Sequence, residues 1–364
     1  MSSGEVSAIR FLQPVDGDIL NRHDGTPVEE GLAITVRVDA PAEAQVTVNG
    51  TPLSREGEVF TGRLLLRAPE TRLCARAEGH GEETITVLWD RHSFPRYRFS
   101  VDDNIQFLKD LARNAGRYGS LFDNHYLAFW REMHRRYGAR IQFNVYYATD
   151  ERDFNLTQMP ECYRDEWQAN ADWLRLTFHA YADKPDRPYL GAGYDVLAHD
   201  YQLVTREIER FAGPELLSPF TTVHWGEATR EGCQALRDQG IRGLAGYFVF
   251  ENERASVSYY LDAAQVAHLN RRDYWKDTQT DLLFIKHDLV CNTLPLEAIV
   301  PHLEQVSANP HEAEVLELMV HEQYFCPFLP HYQPDAGDRV EAAIRWATEH
   351  GYRSIFYEEG FLGA

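Results

Sequence analysis

From residue 97 to residue 357 the chain alternates short apolar strand-like runs with amphipathic helical stretches, and this order constrains its fold most. The strand-like runs are 140–147, 174–179, 219–224, 241–247, 281–287, 315–321 and 353–357. Between them lie helical patterns over 104–115, 124–137, 201–211, 230–239, 296–306 and 338–350. Strands and helices in alternation bury their apolar faces best as a parallel sheet covered by helices, so a (β/α) barrel, complete or irregular, is expected.

Ahead of it the period changes. Residues 7 to 90 read as short strands broken by turns: 8–12, 32–38, 44–48, 59–66, 71–77 and 83–89 among them. Asn49-Gly50 marks a hairpin, because both residues tolerate positive φ. This pattern predicts an all-β, immunoglobulin-like sandwich. Such a domain could bind carbohydrate or simply brace its neighbour. The chain has 364 residues, enough for more than one core, and the expected division is 1–90 and 91–364.

Charge narrows the partners. Lys and Arg number 36 against 56 Asp and Glu, a formal charge of −20 with no basic cluster. Nucleic-acid binding, which needs phosphate neutralisation, is disfavoured, and so is adsorption to anionic membranes. A neutral sugar or a cation meets no general repulsion. No apolar run is long enough to span a bilayer, and the start has no signal-peptide pattern. The five cysteines are widely spaced and odd in number, so free thiols and a cytoplasmic location are expected.

Several strand-like runs end in His, Asp or Glu. Tyr97, Phe99 and Val101 lead into Asp102-Asp103. At a strand end both acids can reach one cavity, one holding a metal while the other abstracts a proton. The plainer reading of such a pair alone is an exposed turn. His179 and Asp183, four apart, can converge on one ion, and imidazole and carboxylate suit divalent metals. His321 closes the run Val315–Val320, where it can protonate a leaving group. Singly, His179 reads better as a hydrogen-bonded structural residue and Asp183 as a solvated loop residue, and His321 reads equally well as a structural histidine. His287, Asp288, Glu322 and Glu358 also stand near strand ends.

Together and in this order, the three motifs resemble the polysaccharide deacetylase domain of carbohydrate esterase family 4, whose fold is a distorted (β/α) barrel. Ser100-Val101-Asp102-Asp103 stands for its Thr-Phe-Asp-Asp motif. The resemblance implies Asp102 as catalytic base, Asp103, His179 and Asp183 as ligands of a divalent metal, and His321 as general acid. Zinc is the metal expected. Asp183 replaces the usual second histidine, a change toward a harder metal. The family's third motif is replaced by Thr221-Thr222-Val223-His224-Trp225, so its arginine is missing. His224, Trp225 and Glu322 are expected substrate contacts. The activity implied is metal-dependent removal of an acetyl group from a carbohydrate. Two other readings remain open. One is a glycoside hydrolase using Glu322 and Glu358, and the other is a carbohydrate-binding protein that kept the fold and lost turnover.

Overall fold

The structure is a computed structural model and describes residues 9–251 and 254–359. Its contacts divide the chain into two units. The first contains residues up to Ser93 together with Trp275–Gln279, and the second contains Phe94–Tyr274 and Thr280–Glu359.

The first unit is built from two sheets. One runs Arg10–Gln13, Gly31–Asp39, Val59–Leu66, Ser54–Glu56, with Gly25–Val28 beside Gly31–Asp39. The other runs Ile19–Leu20, Gly81–Trp89, Glu70–Ala77, Val46–Val48, Thr51–Pro52. Alternation does the sorting. Ile34, Val36 and Val38 are buried, whereas Arg37 and Asp39 on the other face are exposed. They share one apolar core with Leu73, Ala75, Ile85 and Val87 of the facing sheet. The hairpin at Asn49-Gly50 has φ of 49° and 80°, and Asn49 Oδ1 accepts the Cys74 amide at 2.8 Å. Four strands, Ile19–Leu20, Gly25–Val28, Thr51–Pro52 and Ser54–Glu56, are too short to show a period in the sequence. A single boundary near 90 also does not describe the chain, because Trp275–Gln279 joins this unit. Trp275 Nε1 donates to the Asp16 carbonyl at 2.7 Å, and the Lys276 amide donates to the Gly17 carbonyl at 3.1 Å. Gly17 permits the approach: a Cβ there would lie 1.8 Å from the Lys276 oxygen.

In the second unit Arg96–Asn104 is the central strand. Ile141–Tyr146 and then Leu174–Ala180 pair on one side, Val315–His321 and then Leu289–Val290 on the other, all parallel. A further parallel set is Phe220–Thr221, Gly243–Gly246, Leu282–Lys286. The two sets meet twice. Leu282–Lys286 continues directly into Leu289–Val290, so one interrupted strand belongs to both. On the opposite side the seam is thin: a bridge between Leu176 and Leu217, with the Ser218 amide donating to the Leu176 carbonyl at 3.0 Å. The parallel strands thus form a ring with helices in the connections.

These strands are buried on both faces, as parallel strands are, but the two faces differ in chemistry. Phe99, Val101, Phe143, Val145, Leu316 and Leu318 alternate with Arg98, Ser100, Asp102, Gln142, Asn144 and Glu317. The polar set bonds to itself: Arg98 Nη1 meets Glu317 Oε1 at 2.5 Å, Ser100 Oγ donates to the same oxygen at 3.1 Å, and Tyr357 Oη donates to Glu317 Oε2 at 2.6 Å. The apolar set meets helices such as His125–Tyr137, which buries Leu127, Trp130 and Met133. Asn124 caps that helix and Gly138, at φ 67°, ends it. Tyr194–Phe211 starts well before the expected 201, directly after Gly193. The five cysteines are free thiols, and among the described residues no helix is long and apolar enough to cross a membrane.

Candidate active site and metal centre

The strand Arg96–Asn104 delivers both of its acids to one cavity because its end is deformed. Asp103 adopts φ 63°, and the register with Ile141–Tyr146 slips between Val101 and Asn104. Neighbouring residues on a regular strand face opposite ways, and a left-handed residue breaks that rule. Asp tolerates this conformation better than most residues, at a cost on the order of 1–3 kcal/mol. Asn104 pins the bulge by donating to the carbonyls of Val101 at 2.5 Å and Asn144 at 3.0 Å. Tyr126 Oη donates to Asn104 Oδ1 at 3.0 Å.

Three strand ends then bring three donor atoms together. Asp103 Oδ1 lies 3.0 Å from His179 Nε2 and 3.3 Å from His224 Nδ1, and the two nitrogens are 3.3 Å apart. His179 Nδ1 faces the Thr222 carbonyl at 2.5 Å, and His224 Nε2 faces the Asp183 carbonyl at 3.2 Å. Carbonyls only accept, so those ring nitrogens carry the hydrogens. In the neutral rings the other two nitrogens turn lone pairs toward Asp103 Oδ1, and in the protonated rings they donate to it. Tautomers fixed by main-chain carbonyls are the usual support for metal-binding histidines. A tetrahedral ion with bonds of about 2.0–2.1 Å has donor–donor edges of about 3.3–3.4 Å, close to the triangle seen here. The other oxygen of Asp103, Oδ2, accepts from Gln323 Nε2 at 2.8 Å. These residues fit a divalent cation.

Without a cation the site relieves the crowding by protonation. Burial works to raise Asp103, but hydrogen bonds from His179 and His224 outweigh it and hold the acid well below the usual carboxylate range. Burial works against charge on His224, yet the bonds to Asp103 and Asp183 raise it to about 9.

Asp183 stands at the flank. Its Oδ1 is 3.4 Å from His224 Nε2, and its side chain is 45% exposed. The cluster of potential ligands is Asp103, His179 and His224, so the histidine expected to touch substrate occupies the position expected for Asp183. Asp102 is buried beside it, and Asn144 Nδ2 donates to its Oδ1 at 2.5 Å. Burial raises the Asp102 pKa, and the charges of His179 and His321 oppose this. His321 is the register partner of Asp102 on the adjacent strand. Its Nδ1 and its amide share Asn292 Oδ1, at 2.9 and 3.2 Å. The ring is thereby oriented through one nitrogen.

Asp102, Asp103, His179, His224, Trp225 and His321 line one cavity of about 700 Å³. Trp225 is 40% exposed at its wall, with the Arg187 guanidinium 5.5 Å from the ring centre. Glu322 also borders the cavity, but its carboxylate is engaged by the amides of Ile105, Gln106 and Phe107 at 2.7–2.8 Å. It caps the helix Gln106–Arg113, and burial raises it to about 7. Glu358 pairs with Arg175, near the start of the strand Leu174–Ala180, whose other end carries His179. The two glutamates therefore do not flank one sugar.

No protein-family model matches the chain, and no curated protein matches it. Solved structures do resemble it at a distance. A peptidoglycan N-acetylglucosamine deacetylase is 10% identical, with a TM-score of 0.40 over 74% of this chain and 90% of that one. A family 4 acetyl xylan esterase from Clostridium thermocellum, in complex with a cobalt ion, is 12% identical, with a TM-score of 0.34 over 73% and 89%. A pseudoenzyme of the same esterase family from Bacillus anthracis is 10% identical, with a TM-score of 0.33 over 72% of this chain and 64% of that one. Likeness this distant transfers no activity, so the site must be read from its own side chains.

Three of those side chains escape a reading of motifs. Asn144 holds Asp102, Gln323 holds Asp103, and Tyr146 Oη donates to Asp103 Oδ1 within the donor cluster. The signal for two of them is Gln142, Asn144 and Tyr146 at alternate positions of an otherwise apolar strand. Buried polar groups on one face need partners, and here the partners are the site.

Proposed function

We propose that this chain is a metal-dependent hydrolase that removes an acetyl or related acyl group from a carbohydrate. The observation that carries the reading is the meeting of Asp103 Oδ1, His179 Nε2 and His224 Nδ1 at 3.0–3.3 Å beside a second acid, Asp102, and a histidine, His321. Asp103, His179 and His224 would hold the ion, with Asp183 next to His224. Two imidazoles and one carboxylate suit zinc. A divalent ion there supplies Lewis acidity toward a carbonyl oxygen and a lowered pKa for water.

The remaining steps belong to the protein. Asp102, held through Asn144, accepts the proton of the attacking water. His321, oriented by Asn292, gives a proton to the departing amine or alcohol. Trp225 offers an apolar wall for a sugar face, and Glu322 keeps the segment following Asp103 in place by capping its helix. The first unit fits an immunoglobulin-like sandwich. The positions of Glu322 and Glu358 speak against the glycosidase reading.

The test is elemental analysis of chelator-free protein together with hydrolysis of acetylated sugar oligomers. One ion per chain and acetate release are expected, both lost in His179→Ala. Asp102→Asn should keep the ion and lose turnover. A binding protein without turnover is a second reading, favoured by Thr222 where the family carries arginine. Sugar binding without acetate release would establish it in place of the hydrolase.

A further inference from the structure

A second cavity lies beside the first. It encloses about 510 Å³ between the helix Gln106–Arg113, the start of His125–Tyr137 and residues 325–328. Aromatic rings line part of it: Phe107 and Tyr126 are 5.5 Å apart centre to centre, and Tyr126 and Phe325 are 5.3 Å apart. The charges around it are paired. Lys109 and Arg113 both donate to Asp153, at 2.9 and 2.7 Å, and the Asp110 carboxylate accepts from Asn114, Tyr118 and Asn124. A neutral guest suits such a lining better than an ion. Two residues, Gln106 and Glu322, line both cavities. The Glu322 carboxylate is held by main-chain amides, whereas the Gln106 side-chain amide has no hydrogen-bond partner among the described residues. One loop joins the two cavities: residues 325–328 line the second and 329–331 the first. Phe328, 72% exposed, is the most exposed large apolar side chain among the described residues. Exposed apolar surface rimmed by polar groups marks a binding site.

We propose that this cavity is a second sugar subsite, and that the substrate is an oligosaccharide held across both cavities at once. The inference rests on the reading of the first cavity as a sugar site and deepens it, since that reading asks for only one acetylated sugar. Continuity selects the occupant. A guest with its acetyl group at Asp103, His179 and His224 extends along residues 325–331 and crosses the ridge at Gln106. A pyranose is neutral, with C–H groups on its faces and hydroxyls on its edges. The C–H groups meet the electron-rich face of an aromatic ring, which Phe328 offers. The hydroxyls need donors and acceptors, and the free Gln106 amide supplies two hydrogens and one oxygen. No bond is made or broken in this subsite. It contributes affinity and sets which unit of the chain lies at the first cavity.

The experiment uses the full chain and N-acetylglucosamine oligomers of two and of six units. Binding is read by calorimetric titration of the chelator-stripped protein, where turnover does not interfere, and acetate release is read separately on protein loaded with zinc. The hexamer is expected to bind roughly tenfold or more tightly than the dimer, and Phe328→Ala to remove this gain. Gln106→Ala should remove part of it. Phe328 is exposed, so its replacement keeps the fold, which thermal melting checks. Equal affinity for dimer and hexamer, or a hexamer-to-dimer ratio unchanged in Phe328→Ala, overturns the inference, and acetate release then leaves the hydrolase reading standing. Hexamer binding that depends on Phe328 without acetate release upholds the subsite and overturns the hydrolase in favour of the binding protein. If neither oligomer binds, the subsite falls, and acetate release alone decides the hydrolase reading.

Discussion

Two clusters of acidic and basic groups in the second unit balance charge in opposite ways. Around Lys286, three acids surround a built-in cation: Nζ is 2.7 Å from Glu312, 3.3 Å from Asp273 and 3.6 Å from Asp288. Burial still raises Asp273 far above the ordinary range, with Asp288 adding to it, and raises Asp288 to about 7. At the cavity, the partners of Asp103 are the imidazoles of His179 and His224, which carry a positive charge only when protonated. The first cluster has a resident ammonium. The second gathers acceptors around a position that only protons or an ion can fill. Convergence of acids therefore does not mark a metal site. Convergence of lone pairs without a resident ammonium or guanidinium does.

The largest effect should come from removing a donor at the cavity. Asp103→Ala is expected to weaken zinc binding by well over the roughly 10–100-fold typical of losing a supporting residue, read by calorimetric titration. Unchanged affinity would break the comparison outright. Next is Lys286→Met, which strips the other cluster of its cation. A buried ion cluster losing one partner costs about 3–5 kcal/mol, so the denaturation midpoint should fall while zinc stoichiometry stays at one. A stable Lys286→Met protein that binds a second ion near Asp273 would show that the two clusters differ less than argued.

Gln323→Ala is a smaller perturbation. It frees Asp103 Oδ2 and should cost roughly tenfold in zinc affinity with little change in stability, measured by the same titration and by thermal melting.

A graded effect is expected in pH. The His224 pKa in the metal-free fold, about 9, lies above its ordinary 6.5. Its protonated form therefore favours the metal-free fold fully below about pH 6.5, and that contribution is lost as pH rises through about 9. Zinc must displace this proton. Affinity should rise up to tenfold per pH unit below about pH 9 and level off above, with close to one proton released per ion near pH 7.5. Titration in buffers of different ionisation enthalpy counts the proton. Release near zero would mean that His224 is not a ligand.

Asp102, Asp103, His179 and His321 were legible because each ends an apolar run, where a polar residue stands out. Asp183 was singled out for its spacing from His179, four residues along one strand end. That spacing carries no information about the next strand, from which His224 reaches the same place. The turn His224–Gly226, with φ of 66° at Trp225, directs the ring inward, and nothing in Thr-Thr-Val-His-Trp announces it. Tyr146 was hidden in the opposite way: in a buried strand an aromatic looks like core.

By itself the sequence determined the order of strands and helices, the change of period near residue 90 and the acids that end the central strand. These follow from local sterics and from which side chains must leave water, and both act over a few residues. Which donors meet was decided only by the tertiary structure. Asp103, Tyr146, His179 and His224 come from four successive strand ends, brought side by side when the ring of parallel strands closes. A slip of one residue between Val101 and Asn104 then turns Asp103 to the same cavity as Asp102. A slip of one residue reverses the face a side chain presents, and it is set by packing across the ring rather than by the residues beside it in the chain.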